Sequence, residues 1–384
     1  MVDFNDYGPA PNAAQMAQWL EESHLLTLSL LDDLTPEMLD LTHSAKINLP
    51  LWEFGHVGWF SELWIHRFGD KQNTSILHGS DQCYDSSNIE HGTRWRLDLP
   101  DREQTRSFLL NVFEKTQALL RHDVDYKTAY FIQLAIYHQD MHNEAFTYTR
   151  QSVGYALPVE LKRRFDQKKN AANALNQSLM STGDIYFAAC GIDMGARRGK
   201  GFFFDNEKWS HRVELDAFSI SPCLVNNQEI LNFLAATNNA LVPEYWKLIH
   251  GVWHEQRFGQ WFKLEPDAIA VHVSYDLASS YCEWANRRLP TEAEWLCLRS
   301  SPAYEAGLVV HSFLWEWTDS VFTPFEGFSP DPYRDYSAPW MDGRHQVLRG
   351  ASWMTPDRLK RPGYRNFYQT NRSDIFCGFR TCAK

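Results

Sequence analysis

A change of pattern near the middle of this 384-residue chain constrains its fold more than any other feature. The first part has long stretches in which apolar residues recur at helical spacing and glycine is scarce. After Gly183, short apolar runs are broken by Gly, Pro and Asn, which is typical of α+β or loop-rich structure. Residues 163–178 between them are rich in Lys, Arg, Asn and Gln, as in a solvated linker or surface helix. Because the chain is too long for one hydrophobic core, we predict two domains, residues 1–165 and 180–384.

The first domain is predicted to be an antiparallel four-helix bundle. Helical periodicity covers 13–34, 50–67, a segment that begins at Asp101, and 127–150. The connection 69–100 is long and irregular in pattern, and long loops of this kind often have functional roles.

Charge and cysteine content exclude several classes of protein. The net charge is −11, from 37 Lys and Arg against 48 Asp and Glu, so we do not expect nucleic acid as a partner. The sequence has no apolar run long enough to span a membrane and no secretory leader pattern, which predicts a cytoplasmic protein without membrane attachment. The 7 cysteines have no CxxC spacing, so we expect reduced thiols.

Two histidines share the apolar face of the fourth helical segment. His138 and His142 are one turn apart, and two such imidazoles can converge on one metal ion. The same spacing arises by chance, and His250 and His254 also have it. Because Gly251 separates that second pair and no helical apolar stripe surrounds it, we expect no metal there.

A third histidine lies on the apolar face of the second helical segment. His56 shares this face with Trp52, Trp59 and Phe60. Three core-facing imidazoles can form one face of an octahedron and leave the other positions open for substrates. Neutral imidazoles suit Fe(II), Zn(II) and Cu(II), so the ligand type does not choose the metal.

These segments resemble a known enzyme family. Residues 51–62 and 138–144 resemble the iron-ligand segments of the DinB-like domain of ergothioneine-type sulfoxide synthases. The second half resembles the formylglycine-generating-enzyme-like domain of the same proteins, which has a C-type-lectin-like fold. The motifs of that resemblance lie at 204–207, 288–295, 315–318, 347–353 and 377–380.

The resemblance implies an oxygen-dependent enzyme with Fe(II) bound by His56, His138 and His142. Its substrates would be hercynine, which is trimethylhistidine, and a small chalcogen compound, with the active site between the domains. Residues 366–368 would bind hercynine, because an amide can recognise its carboxylate and aromatic rings attract a trimethylammonium group. These residues are Asn366, Phe367 and Tyr368.

Three departures from the sulfoxide synthases bear on the second substrate. Phe322 and Phe325 stand where those enzymes have tyrosines, one of which donates a proton, so segment 321–328 supplies no phenol. Met141 replaces a glutamine that contacts hercynine in many relatives. The loop 84–95, with Tyr84 and Arg94, resembles that of the selenoneine synthases, and its polar and aromatic residues suit a sugar.

We therefore predict carbon–selenium bond formation between hercynine and a selenosugar. The main alternative is a sulfoxide synthase that uses cysteine or γ-glutamylcysteine, in which Arg94 binds the carboxylate of the thiol. A second alternative is a non-catalytic metal-containing binding protein. A formylglycine-generating oxidase is excluded because residues 363–368 contain no cysteine, and a single-bundle thiol transferase would leave the second half unused. The oligomeric state is left open.

Overall fold

The computed structural model describes residues 3–237 and 241–384. It divides the chain into two compact units. The first comprises the chain up to Pro158 together with Arg198–Phe202, and the second comprises Val159–Arg197 and Phe203–Lys384. The first part contains helices, and the second part contains both helices and strands. This content confirms the predicted mixed fold class.

The first unit is built on long helices. The long helices are α1 (Ala13–Asp32), α3 (Pro50–Ser61), α5 (Arg102–Leu119) and α6 (Tyr126–Val153), and the short helices are α2 (Pro36–Leu39) and α4 (Ser80–Tyr84). Helices α1 and α3 each pack against both α5 and α6. Polar residues set the helix starts, since Asn12, Asp101 and Asp125 each accept a hydrogen bond from a backbone N–H of the first turn. The four predicted helical segments are therefore helices, and their assignment to the DinB-like class stays a prediction.

The connection between α3 and α5 is more ordered than its sequence pattern predicted. Helix α3 continues into a π-helical turn, Glu62–His66, and the connection itself contains α4 and a 3₁₀ turn, His91–Arg96. Asp81 holds it to the bundle, because it accepts hydrogen bonds from Trp59 at 2.6 Å and from Arg67 at 2.7 and 3.0 Å. Charge-assisted hydrogen bonds of this kind are stronger than neutral ones, and here they fix the connection on the bundle.

Helix α7 (Val159–Leu179) begins the second unit. Its buried face includes Leu161, Phe165 and Leu179, and Phe165 packs edge-to-face on Trp353 with ring centroids 5.0 Å apart. The segment interpreted as a linker or surface helix is therefore a surface helix with one buried face, and the second unit begins at Val159. Of the basic residues that suggested a linker, Arg163 and Lys168 are exposed on the outer face of this amphipathic helix, whereas Lys169 lies on its buried face.

The remaining helices of the second unit are short, and its strands form small sheets. The helices are α8 (Asn227–Thr237), α9 (Tyr275–Trp284), α10 (Glu292–Arg299) and α11 (Pro302–Glu305). The strands are β1 (Ile185–Phe187), β2 (Cys190–Met194), β3 (His211–Leu215), β4 (Phe218–Ile220), β5 (Trp246–Ile249), β6 (Val252–Arg257), β7 (Gln260–Lys263), β8 (Arg287–Arg288), β9 (Trp315–Val321), β10 (His345–Gly350), β11 (Asn366–Gln369), β12 (Cys377–Gly378) and β13 (Cys382–Ala383).

The sheet β11-β10-β9-β12 positions the residues predicted to bind hercynine. Strand β10 pairs antiparallel with both β9 and β11, and Val347 lies opposite Phe367. The other sheets have the orders β1-β4-β13-β8, β2-β3 and β5-β6-β7.

Buried ion pairs explain why the sequence motifs of the second half contain so many charges. Arg380 donates to Glu316 at 2.5 and 3.0 Å, and Trp295 donates to the same carboxylate at 3.0 Å. Arg365 donates twice to Glu292, both at 3.0 Å. Loss of one partner from such a pair would leave an uncompensated buried charge. The folded unit therefore requires both partners of each pair.

Within the described ranges, no helix combines the length and the apolar character needed to cross a membrane. The cysteines are free thiols.

Candidate metal centre

Three histidines of the first unit converge on one point. His56 is on α3, and His138 and His142 are on α6. Each offers one ring nitrogen such that all three nitrogens lie within 4.8 Å of one another. The Nε2 atoms of His138 and His142 are 3.2 Å apart. The residues that sequence analysis selected on two separate helices are therefore brought together.

Hydrogen bonds orient two of the three rings. The Nδ1 atom of His142 donates to Glu53 Oε1 at 2.7 Å, and Nδ1 of His56 donates to the Tyr84 carbonyl oxygen at 2.8 Å. Both partners are acceptors, so Nδ1 of each ring carries the proton of the hydrogen bond and Nε2 is the nitrogen that can bind a metal. Partners of this kind orient histidine ligands in many metal sites.

Aromatic stacking fixes the ring planes. Phe60 stacks on His138 with centroids 3.5 Å apart, and Trp52 stacks on His56 at 4.9 Å with 9° between the planes. Burial lowers the pKa of both His56 and His138 well below the usual value, and His142 adds to the effect. Both rings are therefore neutral near pH 7 and able to bind a metal.

This donor set fits a divalent transition metal. Adjacent ligands on an octahedral ion, with metal–nitrogen bonds of about 2.1 Å, lie about 3 Å apart, which agrees with the spacing of His138 and His142. Three imidazoles suit Fe(II), Zn(II) and Cu(II), so the geometry supports a metal without selecting iron.

Glu53 was not among the residues predicted from the sequence, although the sequence contained a signal for it. Glu53 lies three residues before His56 on an apolar stripe and is 2% exposed, and a carboxylate so placed needs a strong partner. That partner is His142.

Tyr84 contributes to the centre through its backbone. Its side chain is 0% exposed and lies in the core, where a Cβ on Gly55 would come within 2.2 Å of the Tyr84 ring. The predicted contact of Tyr84 with substrate has no support from this position, because the carbonyl group rather than the ring faces His56.

Two further predicted substrate residues lie near the histidines. The guanidinium carbon of Arg94 is 3.7 Å from the centre of the Trp52 ring, and Arg94 donates to Asn48 Oδ1. Met141 is the residue before His142 on α6 and is partly exposed. Their contacts with substrate stay predictions.

The other predicted substrate residues belong to the second unit. Phe322 and Phe367 stack with centroids 4.0 Å apart and 12° between the planes. Asn366 Oδ1 accepts the backbone N–H of Phe367 at 2.9 Å. Phe325 lies under the Arg365 guanidinium at 4.0 Å, and the same guanidinium is 5.1 Å from the centre of the Phe322 ring. Tyr368, the remaining predicted residue, lies 5.0 Å from the Arg372 guanidinium carbon.

The structure supplies a phenol that the sequence did not indicate. Tyr336 lies edge-on to Phe367, with ring centroids 6.2 Å apart, and stacks on Phe204 at 4.4 Å. Burial, with Tyr364 close by, raises the pKa of Tyr336 well above its usual value, so the phenol keeps its proton. Segment 321–328 contains no tyrosine, but the tertiary structure brings the phenol of Tyr336 next to Phe367.

The second histidine pair does not lie on a helix. His254 is on β6, and its Nδ1 donates to the Val252 carbonyl at 2.9 Å, while His250 lies in the preceding turn with φ of 48°. A strand and a turn do not place these imidazoles one helical turn apart.

Residues 166–302 match the family described as "Sulfatase-modifying factor enzyme 1-like domain". The "Hercynine oxygenase" of Mycolicibacterium thermoresistibile is 26% identical over 96% of this chain and 95% of its own length. The "Hercynine oxygenase" of Mycobacterium tuberculosis is 26% identical over 95% of this chain and 98% of its own. "Ergothioneine biosynthesis protein 1" of Schizosaccharomyces pombe is 28% identical over 47% of this chain and 27% of its own. These similarities confirm the resemblance found from the motifs: along almost its whole length the chain is similar to proteins named hercynine oxygenase, and over part of its length to one named for ergothioneine biosynthesis.

Proposed function

We propose that this chain is an iron(II)- and dioxygen-dependent enzyme that joins a chalcogen atom to the imidazole ring of hercynine. The observation that supports it most is the set of His56, His138 and His142, with two ring nitrogens oriented by Glu53 and Tyr84. The relatives named hercynine oxygenase, which match this chain along almost its whole length, support the choice of substrate.

The three histidines would hold the metal on one side and leave its other positions open. Bound iron(II) would supply one-electron reduction of dioxygen and a shared binding point for the two substrates. Glu53 and the Tyr84 carbonyl keep the Nε2 lone pairs of His142 and His56 directed at the ion. The buried stacking partners Trp52 and Phe60 keep water away from the ring faces.

Hercynine would be recognised by residues of β11. Because Asn366 Oδ1 accepts the Phe367 N–H, the Nδ2 group of Asn366 is left to donate to a carboxylate. The ring of Phe367 provides a face of the kind that attracts a trimethylammonium group.

We propose a thiol, cysteine or γ-glutamylcysteine, as the chalcogen donor. The curated relatives belong to ergothioneine biosynthesis, and Tyr336 places a phenol beside Phe367. This phenol removes one of the reasons for predicting selenium, namely the absence of tyrosine from 321–328.

A selenosugar donor, giving selenoneine, is the second candidate. Phe322 and Met141 still differ from the residues of thiol-using enzymes, and a selenolate forms more easily than a thiolate, so it depends less on a positioned proton donor.

Anaerobic reconstitution with Fe(II) tests the proposal. The protein is then exposed to air with hercynine and one donor at a time (cysteine, γ-glutamylcysteine or selenoglucose), and products are identified by mass spectrometry. A larger kcat/KM for a thiol supports the sulfoxide synthase, and a larger value for selenoglucose supports the selenium alternative. Iron binding without hercynine-dependent oxygen uptake would instead indicate a non-catalytic binding protein.

A further inference from the structure

Three side chains of the first unit form a stacked column of His56, Trp52 and Arg94. Trp52 is the middle member, 1% exposed and nearly parallel to the His56 ring. Its indole Nε1 donates to the Cys83 carbonyl at 2.6 Å. Because the indole is fixed both at its edge and across its face, it restrains rotation of the His56 imidazole.

Arg94 is the outer member, and its position is fixed by the turn that contains it. His91 Nε2 donates to the Ile47 carbonyl at 3.0 Å, and Trp95 Nε1 donates to the Leu41 carbonyl at 2.9 Å. The hydrogen bond from Arg94 to Asn48 then holds the guanidinium over Trp52. A guanidinium stays charged at any working pH, and its attraction to an aromatic face strengthens when water is excluded.

We infer that Trp52 and Arg94 are positioning residues of the metal centre: Trp52 fixes the plane of His56, and Arg94 places a permanent positive charge at the end of the column. The inference rests on the proposed function, because it requires a metal at the three histidines.

The charge has a predictable effect on a bound iron ion. A nearby cation disfavours the ferric ion more than the ferrous ion, because the ferric ion has the larger charge. The indole between them is buried, so little water screens the interaction. The column therefore favours the ferrous state, the state that reacts with dioxygen.

The first test measures the midpoint potential of the Fe(III)/Fe(II) couple in the protein without substrates. Mediator titration with detection by electron paramagnetic resonance compares proteins of equal iron content. Arg94→Gln is expected to lower the potential, and Arg94→Lys to retain more of the wild-type value. Because neither hercynine nor a donor is present, a role of Arg94 in donor binding cannot cause this shift.

Arg96→Gln is the matched control. Arg96 lies in the same turn but is exposed, and its replacement changes the net charge equally. Its potential should equal that of the wild type. A potential unchanged in Arg94→Gln, or lowered as much in Arg96→Gln, would overturn the role of Arg94.

The second test measures Co(II) binding and the ligand-field absorption of the bound ion. Trp52→Leu should weaken binding by about tenfold and alter the spectrum, as loss of a group that supports a ligand commonly does. Trp52→Phe keeps an aromatic face and should show a smaller loss. If Trp52→Leu does not fold, as judged by circular dichroism, the Phe variant decides alone.

The two hypotheses fail in different ways. A wild-type protein that binds neither Fe(II) nor Co(II) at the histidines would contradict both the proposed function and the positioning role of the column. Metal binding by the wild type, with identical affinity and spectra in the Trp52 variants, would refute only the positioning role of Trp52.

Discussion

Glu53 and His142 are 89 positions apart in the chain, yet Glu53 Oε1 accepts a hydrogen bond of 2.7 Å from His142 Nδ1. The carboxylate is buried, and a buried carboxylate is costly unless a strong donor forms a hydrogen bond with it. The bond joins α3 to α6 and directs the opposite nitrogen of His142 toward His138.

Replacement of Glu53 by alanine is expected to weaken metal binding by about 10- to 100-fold, since the ring loses the acceptor that sets its orientation. Glu53→Gln keeps an oxygen acceptor and should lose less. Affinity is measured by competition with a chelator of known strength. The exposed Glu103→Gln serves as control, and an alanine variant with wild-type affinity would contradict the role of Glu53.

His138→Ala is expected to abolish iron binding and turnover, because two imidazoles do not complete the three-nitrogen face. Iron content after anaerobic reconstitution is the measurement. His250→Ala should behave like the wild type in both respects. Full iron content and activity in the His138 variant would show that the three histidines are not the metal site.

Gly55→Ala is expected to destabilise the first unit by about 1–3 kcal/mol, the usual cost of overpacking a core. The added Cβ would lie 2.2 Å from the Tyr84 ring, and a shift of Tyr84 also moves the carbonyl that orients His56. The free energy of unfolding measured with urea and the metal affinity should therefore both decrease. Gly92→Ala meets only an ordinary contact of 3.6 Å and is the control. Loss of stability without loss of metal affinity would contradict the link through Tyr84.

The second unit should lose stability in mild acid because of His272. Burial lowers the pKa of His272 to about 4, so the folded protein keeps this ring neutral while the unfolded chain protonates it near pH 6.5. The free energy of unfolding is unaffected above pH 6.5, falls by up to about 3 kcal/mol as the pH decreases toward 4, and falls no further through this group below 4.

Calorimetry between pH 7 and 4 checks this prediction against His272→Asn. Asparagine tolerates the φ of 61° at this position, and its amide can donate to the carbonyls of Ser373 and Ile375, as His272 Nδ1 does. The variant should show a smaller decrease in stability over this interval. Equal decreases in the two proteins would exclude His272 as the cause.

Much of the candidate metal centre was predictable from sequence because helical periodicity is local. The spacing of apolar residues around His56, and around His138 and His142, is enough to place each ring on a buried helix face. The motifs of the two halves together were also sufficient to predict the resemblance to ergothioneine-type proteins, which the relatives confirm.

Other features depend on how the helices and loops pack. Sequence could not pair Glu53 with His142, orient the Tyr84 carbonyl toward His56, or bring Tyr336 beside Phe367, because each contact joins segments far apart in the chain. The same limit applies to the domain boundary: whether the charged segment 163–178 is a linker or a surface helix depends on its buried partners, such as Trp353. Periodicity shows which side of a helix is buried, and only the tertiary structure decides what lies against it.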